Sequence, residues 1–131
     1  MYVVKYKGKF GFIKPISAKR DDEIVTQQFL NQSTVAGIER KLFPELLTKT
    51  YKQNRIIRHR ISHESIVIIT EQVQTRLPNK VKGKRGFYKK DAVICHRHVL
   101  VNPSLYLFFN KEEYALQAFE QTVHLLSLIH I

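Results

Sequence analysis

The chain has 131 residues, 44% of them hydrophobic, and a formal net charge of +11. That length suits one domain with its own core and excludes two. The charge favours a polyanionic partner, either nucleic acid or an anionic membrane surface. No apolar run approaches the roughly 20 residues that span a bilayer, and the opening MYVVKYKGKFG lacks the basic-then-apolar order of a signal peptide. Cys95 is the single cysteine, which excludes an internal disulfide and fits a cytoplasmic location.

The first segment alternates. Tyr2, Val4, Tyr6, Phe10 and Phe12 fall on one face, and Val3, Lys5, Lys7, Lys9 and Ile13 on the other. This predicts one strand with an aromatic core face and a lysine-bearing outer face, ended by Pro15. A polar loop containing KRDDE follows. NQSTVAGIERKLFPE then predicts a helix capped by Asn31 or Ser33, striped by Val35, Ile38 and Leu42, and closed by Pro44. Gly37 inside it costs about 1 kcal/mol relative to alanine, which a close approach to another backbone would justify.

RIIRHRISHESIVIITEQVQT is rich in Ile and Val and reads as extended, one long bent strand. AVICHRHVLVNPSLYLFF is a second β run, where Pro103 implies an edge position or a bulge. The stretch LPNKVKGKRGFYKKDAVICHRH (residues 77–98), which links them and runs into the second, carries seven Lys or Arg against one acid, Asp91. Pro78, Gly83 and Gly86 suit a long hairpin or a mobile loop there. An N-x-x-E cap, Asn110 with Glu113, opens a last helix with Ala115, Leu116, Phe119 and Val123 on its buried face.

The order β-α-β-(basic insertion)-β-α gives an α+β class. The expected architecture is a ferredoxin-like (RRM-like) βαββα(β) domain over residues 1–125, with a thumb-like basic insertion at about 77–92. The sixth element, a strand, is expected to be missing or replaced by the tail. That tail, Leu126–Ile131 (LSLIHI), is what one frame of the transposon end CTGTCTCTTATACACATC encodes, and it reads as non-native.

The basic tongue is the strongest functional signal. Cations spaced along a hairpin neutralise successive phosphates and release counterions, while Phe87 and Tyr88 inside it can stack on unpaired bases. The bland alternative is a solvated lysine-rich loop. The lysine face of the first strand and the pair Arg58 and Arg60 add charge of the same sign. KGKFGFI (residues 7–13) is similar to the aromatic signature of RNA-recognition motifs, but it lies on the first strand where that signature belongs on the third, so core packing is its better explanation.

His59 and His63 are four apart and His96 and His98 two apart, so each pair can share a strand face. Zinc wants three or four N/S ligands, and Cys95 points away from its neighbours, so no metal or other cofactor is expected. His96 or His98 as general acid and base of metal-independent RNA cleavage is the catalytic option. No Walker loop, zinc-ligand set or nucleophile elbow is present.

In this order the segments resemble family five of the CRISPR-associated proteins, the subunit that caps the 5′ end of the guide RNA in type I Cascade-like complexes. KGKFGFIKP is similar to the family's opening strand. TQQFLNQSTVAGIERKLF is similar to its S-Y-x-V-P-T/P-x-S-x-x-G-I segment, with Gln28 near the usual Tyr, Asn31–Gln32 near the usual Pro-Thr, and Ser33, Gly37 and Ile38 fitting the pattern. RIIRHRISHESIVIITEQVQTR resembles the strand leading into the family's thumb, AVICHRHVLVNPSLYLFF its return strand and NKEEYALQAFEQ its second helix.

The resemblance implies a ferredoxin-like domain whose thumb grips the 5′ handle of the guide RNA. It also implies contacts with the backbone-forming and large subunits of the complex, and no membrane partner. The expected RNA contacts are Lys5, Lys7, Lys9, Lys19, Arg20, Arg58, Arg60, Arg76, Lys80, Lys82, Lys84, Arg85, Lys89, Lys90 and Arg97. Subtype I-C members cut precursor RNA with a tyrosine after the first helix and a Lys-His pair before the second. Here those places read Leu42–Phe43–Pro44 and Lys111–Glu112, so a binding subunit is the better expectation. The alternatives are a metal-independent endoribonuclease using His96 or His98, and a basic protein-interaction module.

Overall fold

The computed structural model describes residues 1–15, 23–48, 55–74, 79–80, 85–86, 88–89 and 92–123. The insertion's larger part, the KRDDE loop up to Asp22 and the LSLIHI tail lie outside the described residues. The class is α+β, as expected. No helix among the described residues is long and apolar enough to cross a membrane.

Three chain segments each run through two sheets, in the same order in both. Strands β1 (Tyr2–Lys7), β9 (Ser104–Phe109) and β4 (Ile56–Ser62) form an antiparallel sheet in the order β1-β9-β4. In the second sheet β8 (Ala92–Val101) pairs on one edge with β5 (Ser65–Gln74). Its other edge pairs with β2 (Phe10–Gly11) and, in parallel, with β3 (Glu23–Ile24). Each segment crosses between sheets at the same level, at Gly8–Lys9, His63–Glu64 and Asn102–Pro103.

Backbone hydrogen bonds lock that level: Gly8 N–H donates to Pro103 O at 3.1 Å, Asn102 N–H to Lys9 O at 2.8 Å and Glu64 N–H to Val101 O at 3.0 Å. Asn102 takes a left-handed φ of 48°, tolerable for asparagine, and its side-chain amide donates to Glu64 at 2.6 Å.

This junction corrects two expectations. The opening segment is two strands in different sheets, and the break shifts its alternation: Phe10 is exposed, while Ile13, expected on the lysine face, is buried in the core. The Ile/Val-rich segment is likewise two strands. Pro103 marks the crossing itself, buried where it needs no ladder donor.

The first sheet carries its core on one face. Val4, Ile56, Leu105, Leu107 and Phe109 pack there with Val35, Ile38 and Leu42 of α1 (Gln32–Leu42) and Ala118 of α2 (Glu112–Phe119). The Asn31 side chain caps α1 by accepting from Thr34 N–H at 2.7 Å, and Pro44 opens a 3₁₀ turn, Pro44–Thr48, as expected of a helix stop. Glu39, fully buried, accepts from the Arg55 N–H at 2.7 Å and from the Ile56 N–H at 3.4 Å, fixing where β4 begins. The Arg55 guanidinium lies 4.6 Å from the Phe43 ring centre and 4.5 Å from that of Tyr114.

Among the described residues Gly37 has no close neighbour: a Cβ there meets nothing within 4 Å. The expected backbone approach is absent. Gly37→Ala is therefore predicted to raise stability by about 0.5–1 kcal/mol in urea melts, through helix propensity alone.

α2 starts one residue later than expected. Its N-cap is Lys111 with no side-chain cap bond, so Asn110 does not cap it. Tyr114, Ala115 and Ala118 turn inward, whereas Leu116 and Phe119 are exposed at 58% and 76%. The phase is set by Tyr114 wedged edge-on against Phe43 at 5.6 Å and by the Tyr6 hydroxyl, which donates to the Ala118 carbonyl at 2.5 Å. Gln117 and Gln121 side-chain amides donate to the terminal Leu42 carbonyl of α1.

Burial raises the Tyr6 phenol from 10.0 to about 12. Its neutral form is the one the fold favours, so that contribution is whole below pH 10 and is lost as pH rises towards about 12. Tyr6→Phe is predicted to flatten the stability loss across that window in alkaline melts.

Candidate nucleic-acid interface

The face of the first sheet opposite the helices is left open by the described residues. Registers place three rows on it: Val3, Phe108 and Arg58; then Lys5, Tyr106 and Arg60; then Lys7, Ser104 and Ser62. Aromatic rings from the central strand are flanked by lysines on one edge strand and arginines on the other. No carboxylate belongs to the three rows. Lys5, Lys7, Arg58 and Arg60 are exposed, and Tyr106 and Phe108 are half-buried between them.

A β-bulge makes this possible. The register of β4 against β9 shifts between Ile56 and Arg58, leaving Ile57 unpaired and 52% exposed. In an unbroken strand Ile56, Arg58 and Arg60 would share one face. The extra residue lets Ile56 enter the core while both arginines face out.

The charges converge. Lys5 Nζ sits 5.0 Å from the centre of the Tyr106 ring. The Tyr106 phenol is held below its usual range, first by the hydrogen bond from Lys5 and then by the charges of Lys5, Arg60 and Lys7. A region that favours a phenolate favours other oxyanions, and the half-buried rings there offer π faces to planar groups.

Of the expected contact residues, Lys5, Lys7, Arg58 and Arg60 are thus brought together. Lys9 is exposed at the strand crossing beside them. Within the insertion, β6 (Asn79–Lys80) pairs with β7 (Tyr88–Lys89), with Lys80 opposite Tyr88, which supports the hairpin expectation. Arg85, Tyr88 and Lys89 are exposed, and Gly86 adopts a φ of +82° that suits only glycine in the turn. Lys19, Arg20, Arg76, Lys82, Lys84, Lys90 and Phe87 lie outside the described residues.

Arg97 is a correction. It is 7% exposed, its Nε and second guanidinium nitrogen both bond Glu71, at 2.8 and 2.7 Å, and its plane lies 4.8 Å from the Phe12 ring centre. Its strand position turns it to the buried face of β8 with Cys95 and Val99, so it organises the second sheet rather than meeting solvent. Arg97→Met should lower stability by about 2 kcal/mol, since Glu71 keeps partial access to water. RNA affinity measured on the folded variant should stay at the wild-type level.

His96 and His98 share the opposite face of β8 from Cys95, as expected. His96 is exposed, and His98 Nε2 lies 3.0 Å from Glu23 Oε1 on β3. His59 and His63 do not share a strand, because β4 ends at Ser62. No group of three or more His, Cys, Asp or Glu side chains is gathered for a metal among the described residues.

Tyr106 and Phe108 were not singled out in the sequence. In SLYLFF the Leu105, Leu107 and Phe109 face is wholly apolar and the Ser104, Tyr106 and Phe108 face only partly so, and each ends in a large ring, so alternation separates the two sides weakly. The signal lies in β1, whose lysines alternate with Val4 and Tyr6. Pairing β9 beside β1 transfers that polarity to Tyr106 and Phe108. Compared with known proteins, the chain matches no family model and no curated protein.

Proposed function

We propose that this chain binds RNA, as the subunit that holds the 5′ handle of the guide in a type I CRISPR surveillance complex. The observation that carries the RNA-binding reading is the open sheet face, where four cations with no acid in their rows flank two aromatic rings. Such a face offers charge to a phosphate backbone and ring faces to unpaired bases.

The architecture is compatible with the finer reading. First, third and second strands lie side by side as β1-β9-β4, with one helix after the first strand and another after the third. A ferredoxin-like βαββα unit has that order. The β5–β8 arm with its basic tip leaves the unit between the second and third strands, where the resemblance expects the thumb. The backbone-forming and large subunits of the complex would be its protein partners.

The test is a gel-shift series with labelled CRISPR-repeat RNA in chelator, from low to high salt, each sample also run on a denaturing gel. The reading predicts a shifted, intact RNA whose affinity falls steeply with salt. No shift at low salt contradicts it. Equal competition by heparin favours a basic protein-interaction module. A discrete cut favours the endoribonuclease alternative, for which the His98–Glu23 contact is the acid–base pair to mutate first.

A further inference from the structure

Resting on the RNA-binding reading, we infer that the open face is a one-nucleotide platform for unpaired strand: Phe108 stacks the base, and the Tyr106 hydroxyl end, with Lys5, Lys7 and Arg60, receives the adjoining phosphate. The two aromatic positions are not equivalent. The Tyr106 ring is already covered by Lys5 Nζ at 5.0 Å, and its hydroxyl end lies in the combined field of Lys5, Arg60 and Lys7. That end suits an oxyanion better than a base.

Phe108 has Val3 and Arg58 as row neighbours, an apolar side chain half exposed on one side and a planar cation on the other. Its ring has no hydrogen-bonding atom, so what it recognises is a flat, uncharged surface. An arginine plane beside it can cover the second face of a stacked base. Two residues along β9 separate the two positions by about 6.8 Å, roughly the step from a base to the next phosphate of an extended strand.

This arrangement selects against duplex. A paired helix presents phosphates to a flat basic surface but keeps its bases stacked inside, so only the cations can engage it. Sequence preference should be weak, because every base has a π face. The aromatic and basic residues thus divide the work: rings choose unpaired strand, and cations supply the salt-dependent attraction.

The experiment is fluorescence anisotropy of a labelled oligouridylate, alone and annealed to its complement, across a salt series. The proteins are wild type, Phe108→Ala, Phe108→Leu and Tyr106→Phe, each first checked by thermal melting. Phe108→Leu keeps apolar volume, so it reports on stacking even if the alanine variant is poorly folded. Both Phe108 variants should weaken unpaired-strand binding roughly 5- to 150-fold, the equivalent of about 1–3 kcal/mol for one stacked base. The slope of log Kd against log salt should stay unchanged, and so should duplex binding.

Tyr106→Phe should cost less, because its cations remain. If folded Phe108→Leu binds the single strand like wild type, or wild type binds duplex as well as single strand, the platform is overturned while RNA binding stands. If wild type binds neither, both readings fall.

Discussion

Reversing the charge of the open sheet face, with Lys5→Glu, Lys7→Glu, Arg58→Glu and Arg60→Glu combined, is expected to abolish RNA binding. The loss should exceed roughly a thousandfold at moderate salt, because four cations that attract the strand become anions that repel it. A milder version, the same four residues changed to alanine, should reduce the single-strand salt slope by at most about 3, the limit of roughly 0.7 for each cation removed. All four side chains are exposed and none belongs to the buried core, so melting should stay near wild type. Lys41→Glu, on α1 across the sheet from this face, is the control, with an expected effect under about threefold through long-range charge alone. If the fourfold variant binds RNA normally, the recognition surface lies in the insertion instead.

Phe109→Ala is expected to produce the largest loss of stability. Phe109 is fully buried at the end of the central strand, paired with Tyr2 on one side and Ile56 on the other, and its ring meets Phe43 edge-on at 6.0 Å. Truncating a buried phenylalanine costs about 3–5 kcal/mol in lost transfer energy and residual cavity. A domain of this size has about 5–15 kcal/mol in all, so the variant should melt roughly 10–20 °C lower. The neighbouring Phe108→Ala, on the open face, should cost much less. That contrast between adjacent residues tests which face of β9 is the core; equal destabilisation would contradict the assignment.

The sequence disclosed elements better than it disclosed their crossings. Helix α1 was legible because its signals agree locally: the Asn31 cap, the Val35, Ile38 and Leu42 stripe, and Pro44 at the stop. The sheet junction was not, because nothing in KYKGKFGFI announces that the chain leaves one sheet at Gly8 and resumes in another, where Phe10 is exposed and Phe12 and Ile13 are both buried. The reason is non-local: the switch is imposed by hydrogen bonds to Val101, Asn102 and Pro103, about a hundred residues away in sequence for Gly8 and Lys9. The orientation of α2 failed similarly, since Tyr114 and the Tyr6 hydroxyl determine which side turns in, leaving Leu116 and Phe119 outside.

The candidate site was half legible. Lysines alternating along β1 and arginines along β4 pointed to an outer basic face, and the structure unites them. Arg97 matched the same pattern and is buried, because a cation's role depends on whether a carboxylate lies across the strand, here Glu71 opposite Cys95. The rings at Tyr106 and Phe108 needed the register of β9 against β1 before they could be assigned to either face.

Photo-crosslinking of a thiouridine-substituted CRISPR-repeat RNA, with peptide mapping of the adducts, tests the central claim most directly. If the open sheet face receives the strand, adducts will concentrate on the β9 peptide bearing Tyr106 and Phe108, and will disappear in the fourfold charge-reversed variant. Adducts confined to the β6–β7 hairpin or the helix-covered side, with β9 unlabelled, would contradict it.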